Sequence, residues 1–483
     1  MKYFLIIISV LLLLSCDSST SPSDESFTLS GKVSLMDTEG NPVTSGLEDI
    51  IVMIYNTVDI DPDLLQVKAD YPHIGAEINQ EVFFDIRDAE PIKTVNCNSA
   101  GEYSFSIAKG DYNLCYYKED YGYKLIHELE VSSDQSLAEA VLNEVISLAG
   151  SISNFTFESG KVYHITDDLV VPANSNISFE TGAYVDVANN KKIFMMDSFN
   201  ITEIGTDNYV KINSIYNIAG EKYIFRGIEC VNINSLNISN VSVKNSSSAI
   251  LLQSSVIDVT INNCVLSNNS NSISSNSNST FVVTNCLIVN NSGIGITSNS
   301  NSEIKNSIFF SNDIGFKISM NATEIYNCYL LNNYMGIRTV GYQEQIIRNN
   351  DFDKNDYGIT ASGSSPNIEY NSFRNDSTDI EVNRMFISTG IYNFSNPIIT
   401  NNNFFKEDRT IIDLIGKHVE GLPGDEFHGN GVSSNINATN NYWKSTVYTE
   451  LCEYNTNTEA NQGIIFLPKR NNELSNAGIV IGE

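Results

Sequence analysis

Between Ile238 and Trp443 the apolar residues keep returning to the same places in a unit of about 21 residues. The clearest copies are Ile261-Asn-Asn-Cys-Val-Leu266, Val283-Thr-Asn-Cys-Leu-Ile288, Ile304-Lys-Asn-Ser-Ile-Phe309, Ile325-Tyr-Asn-Cys-Tyr-Leu330 and Ile347-Arg-Asn-Asn-Asp-Phe352. Their first residues step by 22, 21, 21 and 22. Weaker copies begin at Ile238, Ile368, Ile399 and Ala438, the last two after steps of 31 and 39, so loops are inserted there while the register survives. A fixed period of this length marks a stack of repeated coils.

In each copy the apolar residue, the small or polar residue three on and the apolar residue five on face inward, with an Asn at the bend. Asn tolerates the left-handed backbone that such a bend needs. About ten residues later Gly295-Ile296, Gly315-Phe316, Gly336-Ile337 and Gly358-Ile359 supply a second signal, read as the next corner. Each unit is thus predicted to be one coil of three short strands. A lone coil cannot bury its apolar side, so coils stack and equivalent residues form ladders along the axis. One predicted ladder is Leu266, Ile288, Phe309, Leu330, Phe352, Phe373, Phe404, Trp443. Another is Cys264, Cys286, Ser307, Cys328, Asn350, Asn371, Asn402, Asn441, in which buried amides bond up and down the stack and the thiols serve as small core residues.

The unit Ile-x-Asn-Cys/Asn-x-Phe…Asn-Asn-x-x-Gly-Ile resembles the repeat of the right-handed parallel β-helix proteins, the superfamily that holds pectate-lyase-like enzymes, tailspikes and many surface proteins. The opening Gly160-Lys-Val-Tyr-His-Ile-Thr-Asp-Asp-Leu-Val-Val-Pro172 and the close Asn440-Asn-Tyr-Trp443 are similar to their first and last coils. The resemblance implies an all-β chain with a three-sided right-handed β-helix over residues 148–467 and a tail at 468–483. It is specific for fold and silent about activity, since the superfamily contains lyases, hydrolases, epimerases and non-enzymes.

Residues 27–147 lack the period and read as alternating strands broken by Gly, Asn and Pro turns. The order Gly31-Lys-Val33, Gly40-Asn-Pro42, Gly101-Glu-Tyr-Ser-Phe-Ser-Ile107, Lys109-Gly-Asp-Tyr112 resembles the carboxypeptidase-regulatory-like domain, a small prealbumin-like β-sandwich, with residues 57–93 as an insertion. Such domains serve as spacers or adhesion modules.

Ahead of it, Lys2, the apolar run Phe4 to Leu14 and Leu13-Leu-Ser-Cys16 read as an export signal, too short to span a membrane. Leu-Leu-Ser-Cys before an acidic Ser-rich stretch resembles the lipobox of bacterial lipoproteins. That resemblance implies a signal peptide at 1–16, lipidation of Cys16, a tether at 17–26 and residence in a bacterial cell envelope, periplasmic or at the cell surface. Cys97 and Cys115 would pair if their strands are adjacent, although the ladder positions of three other cysteines argue against a disulfide framework.

The net charge of −30, from 28 Lys+Arg against 58 Asp+Glu, leaves no basic stripe for a nucleic-acid backbone. Charged residues are only 18% of the chain, so the surface is mostly Asn, Ser and Thr, suited to sugar hydroxyls and equally to the turns of a β-helix. The five His residues show no metal-ligand spacing and there is no nucleophile elbow, so no metal site is assigned.

On a β-helix the relevant neighbours are one coil apart. Lys317 and Arg338, 21 residues apart, are both predicted to point outward at the same rung position, where two cations repel unless an anion sits between them. The pair is similar to the Lys/Arg pair of the alginate lyase and chondroitinase branch, which implies Lys317 as base, Arg338 as charge stabiliser and Ca²⁺ as a neutralising cofactor. This chain departs from that pattern: the paired Glu calcium ligands and the His-Gly after the Arg are missing. Glu303 with Glu324, and Arg348 with Glu369, are expected to stack one coil apart. The loops after Phe373 and Phe404 gather further charges, and Arg348, Asp408, Arg409 and Asp425 join Lys317 and Arg338 as candidate ligand contacts. The expectation is a monomeric, lipid-anchored β-helix that binds an extended polymer, a polysaccharide first. Alternatives are a polysaccharide lyase or glycoside hydrolase, and a non-catalytic structural or adhesive surface protein.

Overall fold

The computed structural model describes residues 25–480 apart from 176, 181, 197–198, 202–208, 215–222, 254–255, 257, 276–279, 300, 320–321, 342–344, 384, 389–390, 394, 406–411, 416–435, 445–451, 455–463, 466–469 and 471. Two compact units emerge, one of Met1–Val58 with Asp88–Glu144, the other of Asp59–Arg87 with Val145–Glu483.

In the first unit, Ser26–Met36 pairs antiparallel with Glu102–Ala108 and with Pro42–Val43, and parallel with Gln135–Ser136 and Ala140–Asn143. A second antiparallel sheet runs Lys93–Asn96, Ile51–Asn56, Gly110–Lys118, Gly122–Val131. Alternation in Glu102–Ala108 buries Tyr103, Phe105 and Ile107 in a core shared with Val52, Ile54, Leu114 and Tyr116 from the other sheet. The arrangement is compatible with a sandwich. Cys97 and Cys115 are free buried thiols in it, so the pairing left open by the sequence is not made.

The second unit is a parallel β-solenoid. Its first wall is an 11-stranded sheet that includes Thr280–Thr284, Ser302–Lys305, Thr323–Tyr326 and Ile346–Arg348. The second and third walls alternate through a 24-stranded sheet, the second including Leu287–Val289, Ile308–Phe310, Tyr329–Leu331 and Asp351–Asp353, the third Ile294–Ser298, Ile314–Ser319, Met335–Val340, Tyr357–Ser362 and Thr378–Asn383. Both predicted ladders form. Phe352, Phe373, Phe404 and Trp443 stack at 4.8, 4.9 and 4.5 Å between ring centroids and within about 11° of parallel, the offset that stacked rings and coil spacing both favour. Along the amide ladder each Nδ2 donates to the Oδ1 one coil on: Asn350 to Asn371 at 3.0 Å, Asn371 to Asn402 at 3.1 Å, Asn402 to Asn441 at 3.1 Å. The Cys264, Cys286 and Cys328 thiols are buried and free in the core, and burial pushes Cys328 up to about 12, which leaves it protonated and inert.

The corner between first and second walls uses the predicted Asn, with positive φ at Asn263, Asn285, Asn306, Asn327 and Asn349. The next corner differs from the expectation. It is turned by Asn268, Asn290, Ser311, Asn332 and Lys354, which take positive φ, whereas Gly315 and Gly336 do not. A Cβ on Gly315 would sit 2.7 Å from the Gly336 carbonyl oxygen, and one on Gly336 would sit 2.6 Å from that of Gly358. These glycines exist because successive coils approach too closely for any side chain, not because the chain turns there. Beside this corner Asn269, Asn291, Asn312, Asn333 and Asn355 form a second buried amide ladder that the sequence reading did not anticipate.

Residues 57–93 stand as an insertion in the first unit, and within them Asp59–Arg87 packs with the β-solenoid. The reason lies on the outer side of the second wall. Outward-facing residues of a solenoid are normally polar, yet here Val265, Leu287, Val289, Ile308, Phe310, Tyr329 and Leu331 are apolar and buried. Helix α1 (Pro62–Asp70), helix α2 (Gln80–Phe83) and the segment between them cover this wall with Leu64, Val67, Ile74, Ala76 and Val82. Asp61 caps α1 through the Asp63 amide, and Pro62 occupies its first turn. Polar anchors hold the two ends: Lys354 pairs with Asp63 near one, and near the other Arg87, paired to Asp85, donates to the carbonyls of Ser214 and Tyr223 at 3.0 and 2.8 Å. Lys244 is buried beneath and donates to the carbonyls of Glu81 and Phe84 at 3.0 and 2.9 Å.

The described part of the tail returns along the solenoid. Leu474 exchanges backbone hydrogen bonds with the Asn403 amide at 2.8 and 2.9 Å, and the Ile479 amide reaches the Asp351 carboxylate at 3.2 Å. The insert and the tail together lie along the second wall from Val265 to Asn403.

Candidate functional site

Each coil of the third wall presents outward the residue after its buried apolar one. Pairing puts Thr297, Lys317, Arg338, Thr360 and Glu381 in one column, each in register with the next. The predicted adjacency of Lys317 and Arg338 therefore holds, while Phe316, Ile318, Ile337 and Thr339 on either side point into the core, all fully buried.

Most cations of this unit keep acidic company, and this pair does not. Lys161, Lys191, Lys192, Lys211, Lys305, Arg348, Lys354 and Arg374 all sit in ion pairs within the same unit. Among the described residues Lys317 and Arg338 make none, in a chain with two acids for every base. The Arg338 Nε–H is buried without a hydrogen-bond partner, and so is the hydroxyl of Thr360 one coil on, a residue only 3% exposed. Buried polar groups are nearly always paired, so these two adjacent groups are open to a partner from outside the chain, water or ligand. Two unit charges about 5 Å apart repel by up to about 3 kcal/mol at a surface-type dielectric, which an anion placed between them would reverse.

Arg348, expected as a ligand contact stacked on Glu369, is otherwise engaged. It is in register with Glu369, but its Nε donates to Glu324 Oε1 at 2.7 Å and its guanidinium lies 4.4 Å from the Tyr326 ring centroid. Nor do Glu303 and Glu324 act as a carboxylate pair: Glu303 accepts from Lys305 at 2.7 Å and from the Tyr326 hydroxyl at 2.5 Å, and these bonds hold its carboxyl below the usual range. The first wall thus carries a closed network of charge and aromatic contacts. Asp408, Arg409, Asp425 and Cys16 lie outside the described residues.

A second polar cluster sits where the insert and tail meet the second wall. Asp351 is buried and accepts from Arg374 at 3.3 Å, from the Tyr71 hydroxyl at 3.4 Å and from the Ile479 amide. Burial raises its pKa despite these donors. These bonds fasten the insert and the tail to the second wall. Thr360 was missed by sequence reasoning, since only the outward register of Lys317 and Arg338, extended one coil further, would have exposed it.

None of the protein-family models, curated proteins or solved structures compared with this chain matches it.

Proposed function

We propose that the protein is an exported, lipid-anchored member of the pectate-lyase-like β-helix superfamily, with a carboxypeptidase-regulatory-like spacer, whose third wall binds an extended acidic polysaccharide. The observation that carries this reading is the in-register pair Lys317 and Arg338, without acidic partners among the described residues and beside the orphaned hydroxyl of Thr360. Guanidinium and ammonium groups one rung apart suit a carboxylate or sulfate bridging them, and charge-assisted bonds of this kind are the strong ones. A polymer rather than a small metabolite is favoured because the half-exposed positions of this wall, Met335, Arg338 and Val340 on one strand, extend along its length.

The test is affinity for a panel of acidic and neutral polysaccharides, with and without Ca²⁺. Replacing both Lys317 and Arg338 by Ala should lower affinity for the acidic members at least tenfold, as the loss of one or two charged hydrogen bonds dictates, while thermal stability stays equal or rises. Unchanged affinity for every acidic polymer that the wild type binds would refute the site. The Lys–Arg register also favours a second reading, an acidic-polysaccharide lyase with Lys317 as base. Its sign would be an unsaturated, ultraviolet-absorbing product that the double variant no longer releases. For the anchor, Cys16→Ser should abolish partition into the detergent phase, and unaltered partition would refute lipidation.

A further inference from the structure

We infer that Tyr334, braced by Tyr357, is a sugar-ring platform belonging to the same wall, so that the polymer crosses the coils along the strand direction and is held at two points about two to three sugar rings apart. This rests on the acidic-polysaccharide reading above and adds the direction of the chain, the minimal length and a further contact residue.

Tyr334 is 47% exposed, the largest side chain left in the open beside the cation pair. It immediately precedes the strand Met335–Val340, which carries Arg338. Tyr357, which opens the strand of the next coil and is in register with Met335, meets its ring edge-on at 5.6 Å between centroids and 82° between planes. The Tyr357 amide also donates to the Tyr334 carbonyl at 3.0 Å. A half-exposed ring held in a T-shaped contact with its neighbour is presented at small entropic cost, since a tyrosine has few torsions to fix. An exposed aromatic alone would need no explanation. Here it stands one residue ahead of the strand that carries an unpaired cation, and the two together match the two surfaces of an acidic sugar polymer, the apolar face of a ring and the anionic group.

The spacing decides the direction. Along the axis the cations are one coil apart, about 5 Å, whereas from Tyr334 to Arg338 four residues of strand span roughly 13 Å. A polymer lying along the axis on the Lys317–Arg338 column would pass to one side of Tyr334. One running with the strand reaches both, with its carboxylate between Lys317 and Arg338 and a ring two or three units away over Tyr334.

The experiment is titration of the full chain with a length series of oligogalacturonates, from monomer to hexamer, by calorimetry. Wild type should show a step in affinity once the oligomer reaches three to four rings. Tyr334→Ala should remove that step, about threefold to tenfold, and leave the monomer unchanged, while Tyr334→Phe keeps it. Replacing both Lys317 and Arg338 by Ala should weaken every length. A step that persists in Tyr334→Ala overturns this inference and leaves the cation site standing. If the double Ala variant matches wild type at every length, or no length binds at all, the acidic-polymer reading falls and this one with it.

Discussion

Asn371→Leu tests whether the amide ladder or simple packing holds the coils together. In the native chain the Asn371 Oδ1 accepts from both the backbone N–H and the Nδ2 of Asn350 at 3.0 Å, and its own Nδ2 donates to Ile347 O at 2.8 Å, Glu369 O at 3.0 Å and Asn402 Oδ1 at 3.1 Å. Leucine removes all five. Most of the partners keep a second bond: Asn350 Nδ2 still reaches Ile325 O at 3.0 Å, Glu369 O still accepts from the Asn349 amide at 3.3 Å, and Asn402 Oδ1 still accepts from the residue 371 amide at 2.8 Å. The backbone N–H of Asn350 loses the acceptor it has here and stays buried, which costs about 1–3 kcal/mol, and the remaining bonds are worth about 1 kcal/mol each. The apolar gain of a buried leucine, about 1.5–3 kcal/mol, offsets part of this. The net loss is on the order of 3 kcal/mol. Serine is the informative control, because Ser307 already stands on this ladder, accepts from the Cys286 amide at 3.1 Å and donates to Lys305 O at 2.9 Å. Asn371→Ser should therefore cost less than Asn371→Leu even though it leaves a small void. Urea unfolding gives the order of the two variants, and amide exchange at Asn350 should quicken only in the leucine variant, since stability in a solenoid is a sum of neighbour terms and loosening is local. If the leucine variant is as stable as the serine variant, the ladder is packing and the hydrogen-bond argument is wrong.

Two further outcomes concern the insert. Ile308 is fully buried beneath it, close enough that a Cβ on Gly75 would lie 2.8 Å from its Cδ1; Ile308→Asp places a charge under an apolar cover, so residues 59–87 should become sensitive to limited proteolysis while the β-rich circular dichroism persists, and unchanged cleavage would refute the packing account. Lys244, pulled down to about 8 by burial against an ordinary 10.5, binds fewer protons folded than unfolded between those values. Stability should therefore rise from about pH 8 to pH 10.5, by no more than about 3 kcal/mol, and Lys244→Met should abolish that rise. A rise of equal size in the methionine variant would assign it to other groups.

The repeat made the solenoid legible because its signal is periodic. A residue that must face inward in every coil recurs at every coil, so the Leu266-to-Trp443 and Cys264-to-Asn441 ladders could be written down from spacing alone, and with them the outward register of Lys317 and Arg338. Three things were decided only in three dimensions. The glycines before Ile296, Phe316 and Ile337 looked like corners because glycine favours turns, but what excludes a side chain there is the carbonyl of the next coil, a contact 20 or more residues away. The apolar outer face of Leu287–Val289, Ile308–Phe310 and Tyr329–Leu331 is visible as runs with no polar alternation, the mark of a strand buried on both sides, yet nothing local says that Asp59–Arg87 is the segment that covers it. Arg348 and Arg338 both follow an inward isoleucine, and spacing stacks Arg348 on Glu369; the carboxylate it bonds is Glu324, one coil the other way, while Arg338 has none among the described residues. Periodic burial is a property of each coil and can be read one residue at a time, whereas close approach, coverage and charge pairing are properties of pairs distant in the chain, which only the folded geometry brings together.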